Sequence, residues 1–450
     1  MVANPGMKKQ SLHDALVKAL DDVIAVLEPY VQSRRVPKEP ITEARRRSEG
    51  GYVYRHYHRR DYTSLATQCS REWVKLPAVQ KAIKEFANDK DVQQNFSMVG
   101  LGNLHDYVTN QIVHQFIYRI LRSTRRWPPS KSAIQTTFFE FQDYLLSTTI
   151  SCEAMVPLQS FECGRKKLVL EPDIEICELS EREKENLLSR AIGRQSLENE
   201  MEAMRHRFAA IIKLSWAKGS PPSIDHRDKL NKLLTALRLF KAGAVGANIA
   251  YRRETKWQPG HIVGGTGKDI YSVPVTGTVY TLDHREAKDF INFWKWLYQQ
   301  PLGNNVVVAI RWFNHGYEDW IPEDRVVSFV TAFESLFLRK RDRNKKKNLV
   351  NRIPRLLTDA VNRNQLEKNV GSIWDLRCSV VHAESYQVDE APQFAGVAES
   401  YLRDTIKRYI ELERKLIPST HTDILNWLDS PNVDLNKRAI FPHWQITVQT

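Results

Sequence analysis

The stretch of sequence that organises the C-terminal part of the chain is IWDLRCSVVH, residues 373–382. It closes a segment in which apolar residues recur at intervals of three and four, namely Leu366, Val370, Ile373 and Trp374. That spacing is typical of one face of a helix. The stretch therefore predicts the end of an amphipathic helix that carries an arginine and a histidine five positions apart.

Arg377 and His382 are the candidate catalytic pair of this helix. A guanidinium is always charged and presents a planar fork that matches phosphate oxygens, and an imidazole can take or give a proton near neutral pH. On one helix, at about 100° per residue, their Cβ vectors would diverge by roughly 140°. A joint role therefore requires a long reach by the arginine, a helix end near His382, or a second chain. The alternative interpretation is a surface arginine beside a capping histidine.

An upstream segment, PEDRVVSFVTAFESLFL (residues 322–338), predicts a second helix, because proline and acidic residues open it. Val327, Val330, Glu334 and Leu338 share one face of that helix. A carboxylate inside an apolar stripe is costly to bury unless it is paired, and Arg377 is an available cation. Alternatively, Glu334 lies at the edge of the stripe and reaches water.

Three segments together resemble the HEPN ribonucleases, and specifically their Apea-like branch. They are VAIRWFN (residues 308–314), FESL (residues 333–336) and WDLR (residues 374–377) continued through His382, with a long amphipathic helix after them. The resemblance covers roughly residues 305–418, a quarter of the chain. It implies a small helical bundle, and a homodimer in which two Arg-x4-His motifs form one composite site.

The resemblance also implies an activity, that of a metal-independent endoribonuclease without a cofactor. His382 would act as general base or general acid, Arg377 would stabilise the charge on the phosphorane, and Glu334 would orient Arg377. The biological role implied is that of a toxin or an abortive-infection antiphage effector, restrained by its N-terminal region and released by a phage-derived trigger. Cys378 stands where the family often has Asn or another polar residue. It favours the alternative of a regulator that binds RNA or a nucleotide without cleaving it.

The densest positive run in the chain lies between the two predicted helices, with seven cations in nine residues. Such runs are usually solvated faces, but this one lies beside the candidate site, where it would attract phosphates without selecting a sequence. The predicted RNA-binding residues are Arg339, Lys340, Arg341, Arg343, Lys345, Lys346 and Lys347.

The composition of the whole chain fits such a partner. Over 450 residues, Lys and Arg exceed Asp and Glu by 66 − 53 = 13, which favours a polyanion such as nucleic acid. There is no apolar run long enough to span a membrane, and the N-terminus lacks the apolar core of a secretory signal. The five cysteines are scattered and fit neither a zinc site nor a disulfide framework. We therefore expect a cytoplasmic protein with no metal and no membrane partner.

The pattern of apolar residues divides the chain into four parts. Residues 1–147 predict a mostly helical N-terminal region, 148–282 an α+β region that would be regulatory, 283–418 the helical nuclease bundle, and 419–450 a tail. The predicted fold class is therefore α+β overall and predominantly α.

One N-terminal stretch, YVYRHYHRRDY (residues 52–62), follows a predicted basic linker at residues 34–47. Its aromatic residues alternate with cations, the chemistry of a surface that stacks bases and holds phosphates. The alternative is an irregular strand or loop whose tyrosines lie in a local core. The motif His56-x-His58 has no further ligand nearby in sequence, so we predict no metal there.

Two other stretches resemble functional motifs but lack residues that those motifs require. GGTGKD (residues 264–269) would need glycine in place of Ile262 and a hydroxyl in place of Asp269 to be a P-loop, so we predict a hairpin or surface loop. The acidic pair Asp173 and Glu175 lacks the lysine of a metal-dependent nuclease, because Cys177 stands at that position. We predict a strand edge there.

Overall fold

The fold is predominantly helical with a substantial sheet, which confirms the predicted α+β class. The computed structural model describes residues 7–46, 52–99, 102–124, 127–181, 183–184, 206–220, 226–247, 250–254, 257–259, 265–267, 278–357, 362–415 and 420–430.

The N-terminal region is a helical assembly whose longest member is α1 (Gln10–Gln32). The apolar residues spaced three and four apart along α1 are buried, so its periodicity decides which face packs. A π-helical segment, Tyr107–Val113, joins the sixth and seventh helices. The further helices of this region are α2 (Tyr62–Gln68), α3 (Ser70–Trp73), α4 (Pro77–Asn88), α5 (Lys90–Val99), α6 (Leu104–Asp106), α7 (His114–Ser123) and α8 (Lys131–Leu146).

A long β-hairpin stands between α1 and α2. Strand β1 (Lys38–Arg46) pairs antiparallel with β2 (Tyr52–Arg60) as a separate two-stranded sheet. The prediction of a basic linker was therefore wrong for β1. Its arginines and proline suggested a loop, but Pro40 is tolerated because every strand of a two-stranded sheet is an edge strand. The side chains of residues 40–57 lie outside the described part of the hairpin.

The middle region is built on a six-stranded antiparallel sheet of order β5-β6-β7-β3-β8-β9. Its strands lie in the part of the chain, residues 148–282, for which the sequence predicts α+β structure. A short parallel pair, β4 with β10, lies beside this sheet. The bounds are β3 (Thr149–Pro157), β4 (Phe161–Cys163), β5 (Lys167–Glu171), β6 (Ile174–Glu178), β7 (Phe208–Ala217), β8 (Ala250–Glu254), β9 (Gly265–Gly267) and β10 (Tyr280–Leu282).

The glycine-rich segment contributes the edge strand β9, which pairs with β8. The rest of the predicted hairpin or surface loop, Gly264, Lys268 and Asp269, lies outside the described residues. Asp173 lies in the turn between β5 and β6 beside the predicted strand edge, and its carboxylate is paired with Lys229.

The C-terminal part is a helical bundle in which α12 packs against α11, α13, α14 and α15. Its central position explains why the apolar side chains of α12 are mostly buried. The bounds from the middle region onward are α9 (Arg227–Phe240), α10 (His284–Tyr298), α11 (Asn304–Glu318), α12 (Pro322–Phe337), α13 (Lys345–Leu357), α14 (Arg363–Val381), α15 (Ala391–Lys415) and α16 (His421–Asp429).

The middle region and the bundle are joined by buried polar contacts. Arg238 on α9 is 1% exposed and donates hydrogen bonds to Asn314 Oδ1 (3.1 Å) and Glu318 Oε1 (2.7 Å) on α11. Arg403 on α15 donates to the carbonyl oxygen of Arg238 at 2.7 Å. These hydrogen bonds connect α9 to two helices of the bundle.

The segment predicted as a tail begins with α16, which packs on the bundle through Ile424, Leu425 and Leu428. Residues 431–450 lie outside the described part of the chain. Within the described helices, none combines the length and apolar character needed to cross a membrane.

Candidate functional site

The end of α14 sets the position of the candidate pair. The helix ends at Val381 and His382 occupies its C-cap, so the arginine lies in the final turns while the histidine lies where the helix stops. This is one of the three arrangements that the spacing allowed. The side chain of His382 is exposed to solvent. The imidazole is therefore accessible from outside the bundle.

A Schellman turn holds the backbone around His382. The N–H of Glu384 donates to the carbonyl of Ser379 at 2.8 Å, and the N–H of Ala383 donates to the carbonyl of Val380 at 3.4 Å. Ala383 has φ 55, the left-handed conformation that this turn requires and that glycine usually provides. An alanine at this position costs stability, so the turn after His382 is strained.

Arg377 and Glu334 face each other across α14 and α12. The distance from Arg377 Nη2 to Glu334 Oε1 is 3.8 Å, and the side chains are 21% and 19% exposed. That distance allows a Coulombic attraction but not a hydrogen bond. Arg377 Nε and Glu334 Oε1 are shielded from solvent, and neither has a hydrogen-bond partner among the described residues. The guanidinium is thus held near a carboxylate while its shielded Nε has no acceptor among the described residues.

The indole of Trp374 lies beside the same guanidinium, with Arg377 Cζ at 5.4 Å from the ring centroid. An aromatic face attracts a cation at this range. Together with Glu334, it restricts where Arg377 can reach. Cys378, the next residue, is half-buried and has a free thiol.

The start of α13 adds two lysines to this surface. Lys345 Nζ lies 3.8 Å from Glu334 Oε1, and Lys346 Nζ lies 2.7 Å from both carboxylate oxygens of Asp375. No acidic residue lies in the first turn of α13. Positive charge at a helix N-terminus is unfavourable, because the helix dipole is positive there. The local excess of positive charge is one that an anion would relieve.

The structure separates the seven cations of the basic run into two groups. Arg339 is bound to α16, with Nη2 at 2.8 Å from Asn426 Oδ1 and 3.1 Å from Asp429 Oδ2. Lys345 and Lys346 have the acidic neighbours just described. In the described part of the chain, the other four are exposed and have no carboxylate within 4.0 Å: Lys340, Arg341, Arg343 and Lys347.

Sequence reasoning missed Arg352, the most heavily bonded arginine of the bundle. Its side chain is 3% exposed, and it donates to both oxygens of Asp429 and to Asp342 Oδ2, each at 2.8 Å, and to the carbonyl of Phe337. These hydrogen bonds lower the pKa of Asp429 below its ordinary value. The available signal was that Arg352 lies on the apolar face of α13, next to Ile353.

The segment VAIRWFN lies within α11, where Asn314 has a structural role. Its Nδ2 donates to Thr235 Oγ1 at 2.7 Å, and its Oδ1 accepts from Arg238. Among the described residues, no group of three or more histidine, cysteine, aspartate or glutamate side chains could hold a metal ion. Comparisons with protein-family models, curated proteins and solved structures found no match for this chain.

Proposed function

We propose that this chain is a HEPN-type endoribonuclease that cleaves RNA by attack of the ribose 2′-OH. The observation that carries the proposal is a partly exposed arginine, held 3.8 Å from Glu334, on the helix that ends in an exposed histidine. A guanidinium and an accessible imidazole are the groups that phosphodiester transfer requires.

In the reaction, the 2′-oxygen attacks the adjacent phosphorus and the bond to the 5′-oxygen breaks. The products carry a 2′,3′-cyclic phosphate and a 5′-hydroxyl. Arg377 stabilises the charge that develops on the phosphorane, an electrostatic effect worth about 10²–10³ in rate for a single donor. His382 takes the proton from the 2′-OH or delivers one to the leaving oxygen, worth about 10²–10⁴. Glu334 positions Arg377.

The two proton transfers of the reaction favour a homodimer. The reaction needs one group to accept a proton and one to donate it, and a single imidazole performs one of these tasks at a time. Two copies of α14 facing each other would supply both, as the resemblance implies. RNA phosphates would be held by the exposed cations Lys340, Arg341, Arg343 and Lys347, so binding would weaken steeply with salt.

In the cell, we propose a cytoplasmic toxin or antiphage abortive-infection effector. The contacts of Arg238 and Arg403 between α9 and the bundle offer a route by which the preceding regions could restrain the nuclease. A phage-derived trigger acting on those regions would then release it.

A second candidate function is RNA or nucleotide binding without cleavage. It is favoured by Cys378 after the arginine, and by the absence of a hydrogen bond between Arg377 and Glu334 at their separation of 3.8 Å. The same surface would then retain an anion without driving chemistry on it.

The test is incubation of the purified chain with a single-stranded RNA, and with DNA of the same sequence, in the presence of EDTA. We expect the RNA to be cut and the DNA to stay intact, because DNA lacks the attacking 2′-OH. Intact RNA that remains bound to the protein would favour the second candidate. Cleavage of both polymers, or cleavage that requires an added divalent metal, would contradict the proposal.

A further inference from the structure

The hairpin of β1 and β2 has two faces of different chemistry, which the strand register defines. Residues directly opposite in an antiparallel pair share a face, and successive residues alternate between faces. The first, here the cationic face, holds Lys38, Pro40, Thr42, Ala44 and Arg46 of β1 opposite Arg60, His58, His56, Tyr54 and Tyr52 of β2. The second, here the paired face, holds Glu39, Ile41, Glu43 and Arg45 opposite Arg59, Tyr57, Arg55 and Val53.

On the paired face, two of the three arginines have a carboxylate at the opposite register position. Glu39 is opposite Arg59 and Glu43 is opposite Arg55, whereas Arg45 is opposite Val53. At the described base of the hairpin, Arg59 Nε donates to Glu39 Oε1 at 2.8 Å. Opposite charges across a strand pair stabilise a sheet. Pairing within the hairpin therefore accounts for Arg55 and Arg59.

The cationic face has no such reason. None of its ten positions is a carboxylate, and Lys38 is directly opposite Arg60, a like-charge pair that destabilises a sheet. The described side chains Lys38, His58 and Arg60 are exposed. Positive charge on one side of the hairpin, with no carboxylate at any of its ten positions, is understandable if an external polyanion supplies the negative charge.

The aromatic residues of this face narrow the class of polyanion. Tyr52 and Tyr54 are two positions apart on one strand, which places their backbones about 7 Å apart. That separation is about twice the rise of about 3.4 Å between stacked bases. On this face Tyr52 is opposite Arg46. Tyrosines beside cations allow successive bases to stack while phosphates are neutralised. We propose that the cationic face binds single-stranded nucleic acid.

This inference goes beyond the proposed function, because it concerns binding at a site remote in sequence from Arg377 and needs no cleavage. Its test uses the full chain and a fluorescein-labelled oligothymidylate, which the 2′-OH reaction cannot cut. Fluorescence anisotropy in EDTA at several salt concentrations measures the affinity. A duplex of the same length is the comparison, and we expect it to bind more weakly because its bases are not free to stack on tyrosines.

Two pairs of variants test whether stacking on the tyrosines and charge on the cationic face contribute to binding. We expect Tyr52→Ala/Tyr54→Ala to weaken binding about tenfold or more, whereas Tyr52→Phe/Tyr54→Phe retains the rings and the affinity. Arg46→Ala/Arg60→Ala should lower the slope of log affinity against log salt by about 1.4, because each phosphate contact to a single strand contributes about 0.7. Arg55→Ala/Arg59→Ala removes the same charge from the paired face and should leave the slope unchanged. Thermal melting of each variant confirms that it is folded.

Several outcomes would overturn the inference. They are no measurable binding, equal losses in both arginine variants, or no loss in the double alanine variant at Tyr52 and Tyr54. Anionic phospholipid vesicles are the remaining control. If the wild type binds vesicles but not the oligothymidylate, the face is directed at a membrane surface and the inference is wrong.

Discussion

Two arginines of the C-terminal bundle, Arg352 and Arg377, are held in opposite ways although both lie near carboxylates. Arg352 is 3% exposed and makes four hydrogen bonds, to Asp342, Asp429 and a backbone carbonyl. Arg377 is 21% exposed, lies 3.8 Å from its only described carboxylate neighbour and retains a shielded Nε without an acceptor.

This contrast separates a structural arginine from a candidate functional one. A buried guanidinium held by four hydrogen bonds stabilises the fold and is not accessible to a ligand. A shielded Nε without an acceptor has been desolvated without compensation, which costs stability. Arg377 is also partly exposed, so its other donors can contact a phosphate during function.

The largest effect on stability is expected at the engaged arginine. Arg352→Ala removes four hydrogen bonds, three of them to carboxylates, and leaves Asp429 with Arg339 as its remaining cation, so the free energy of unfolding should fall by about 2–3 kcal/mol. Urea denaturation followed by circular dichroism measures it. A loss below about 1 kcal/mol would mean that the two arginines do not differ in the way described.

Arg377→Ala should show the opposite profile. Its partly exposed ion pair contributes little, so we expect a change in unfolding free energy below about 1 kcal/mol. RNA cleavage should fall by about 10²–10³, measured as a single-turnover rate. Arg377→Lys is the matched control, since it keeps the charge but loses the fork, and it should recover only part of the rate. Full activity in Arg377→Ala would remove the arginine from the site.

The pH dependence of stability tests how α16, the helix that Arg352 binds through Asp429, is attached to the bundle. His421 Nε2 lies 3.2 Å from the carbonyl of Leu338, which can only accept, so Nδ1 accepts the hydroxyl of Tyr409 at 2.7 Å. Burial lowers the pKa of His421. The unfolded chain therefore binds the proton more readily, and stability is complete above about pH 6.5 and is lost as pH falls below it.

We expect His421→Gln to reduce this loss. The urea midpoint at pH 5 should fall less, relative to pH 7.5, in the variant than in the wild type. Some dependence should remain, because burial also lowers the pKa of His114. An unchanged pH profile in the variant would contradict the assignment of neutral His421 to the folded state.

The smallest effect is expected at the turn after the candidate histidine. Ala383→Gly removes the left-handed strain of an alanine with φ 55, so unfolding free energy should rise by about 1 kcal/mol. Thermal melting measures this gain, and Ser385→Gly, just beyond the turn, is the control. A decrease in stability would mean that the turn is not strained as described.

The sequence predicted much of this arrangement because local spacing determines it. The periodicity of α12 and α14 placed Glu334 and Arg377 on helices able to meet, and the structure brings them to 3.8 Å. The end of α14 at His382 was one of three possibilities. The end of the helix depends on the backbone turn at Ala383. The sequence did not indicate this turn, because it has alanine where glycine is usual.

Long-range partners could not be predicted in the same way. In the sequence, the seven cations of the basic run are indistinguishable. In the structure, Arg339 donates hydrogen bonds to Asn426 and Asp429 of α16, which is far away in the sequence. Arg352 was missed for the same reason. Strand β1 was read as a linker because its pairing depends on β2 rather than on its own composition.

The most direct test of the central claim is the chemistry of the RNA ends produced in EDTA by wild type, Arg377→Ala and His382→Ala. The account predicts 2′,3′-cyclic phosphate and 5′-hydroxyl ends from the wild type. It predicts almost none from either variant, although both remain folded. Products with 5′-phosphate ends, or variants that cut at the wild-type rate, would contradict it.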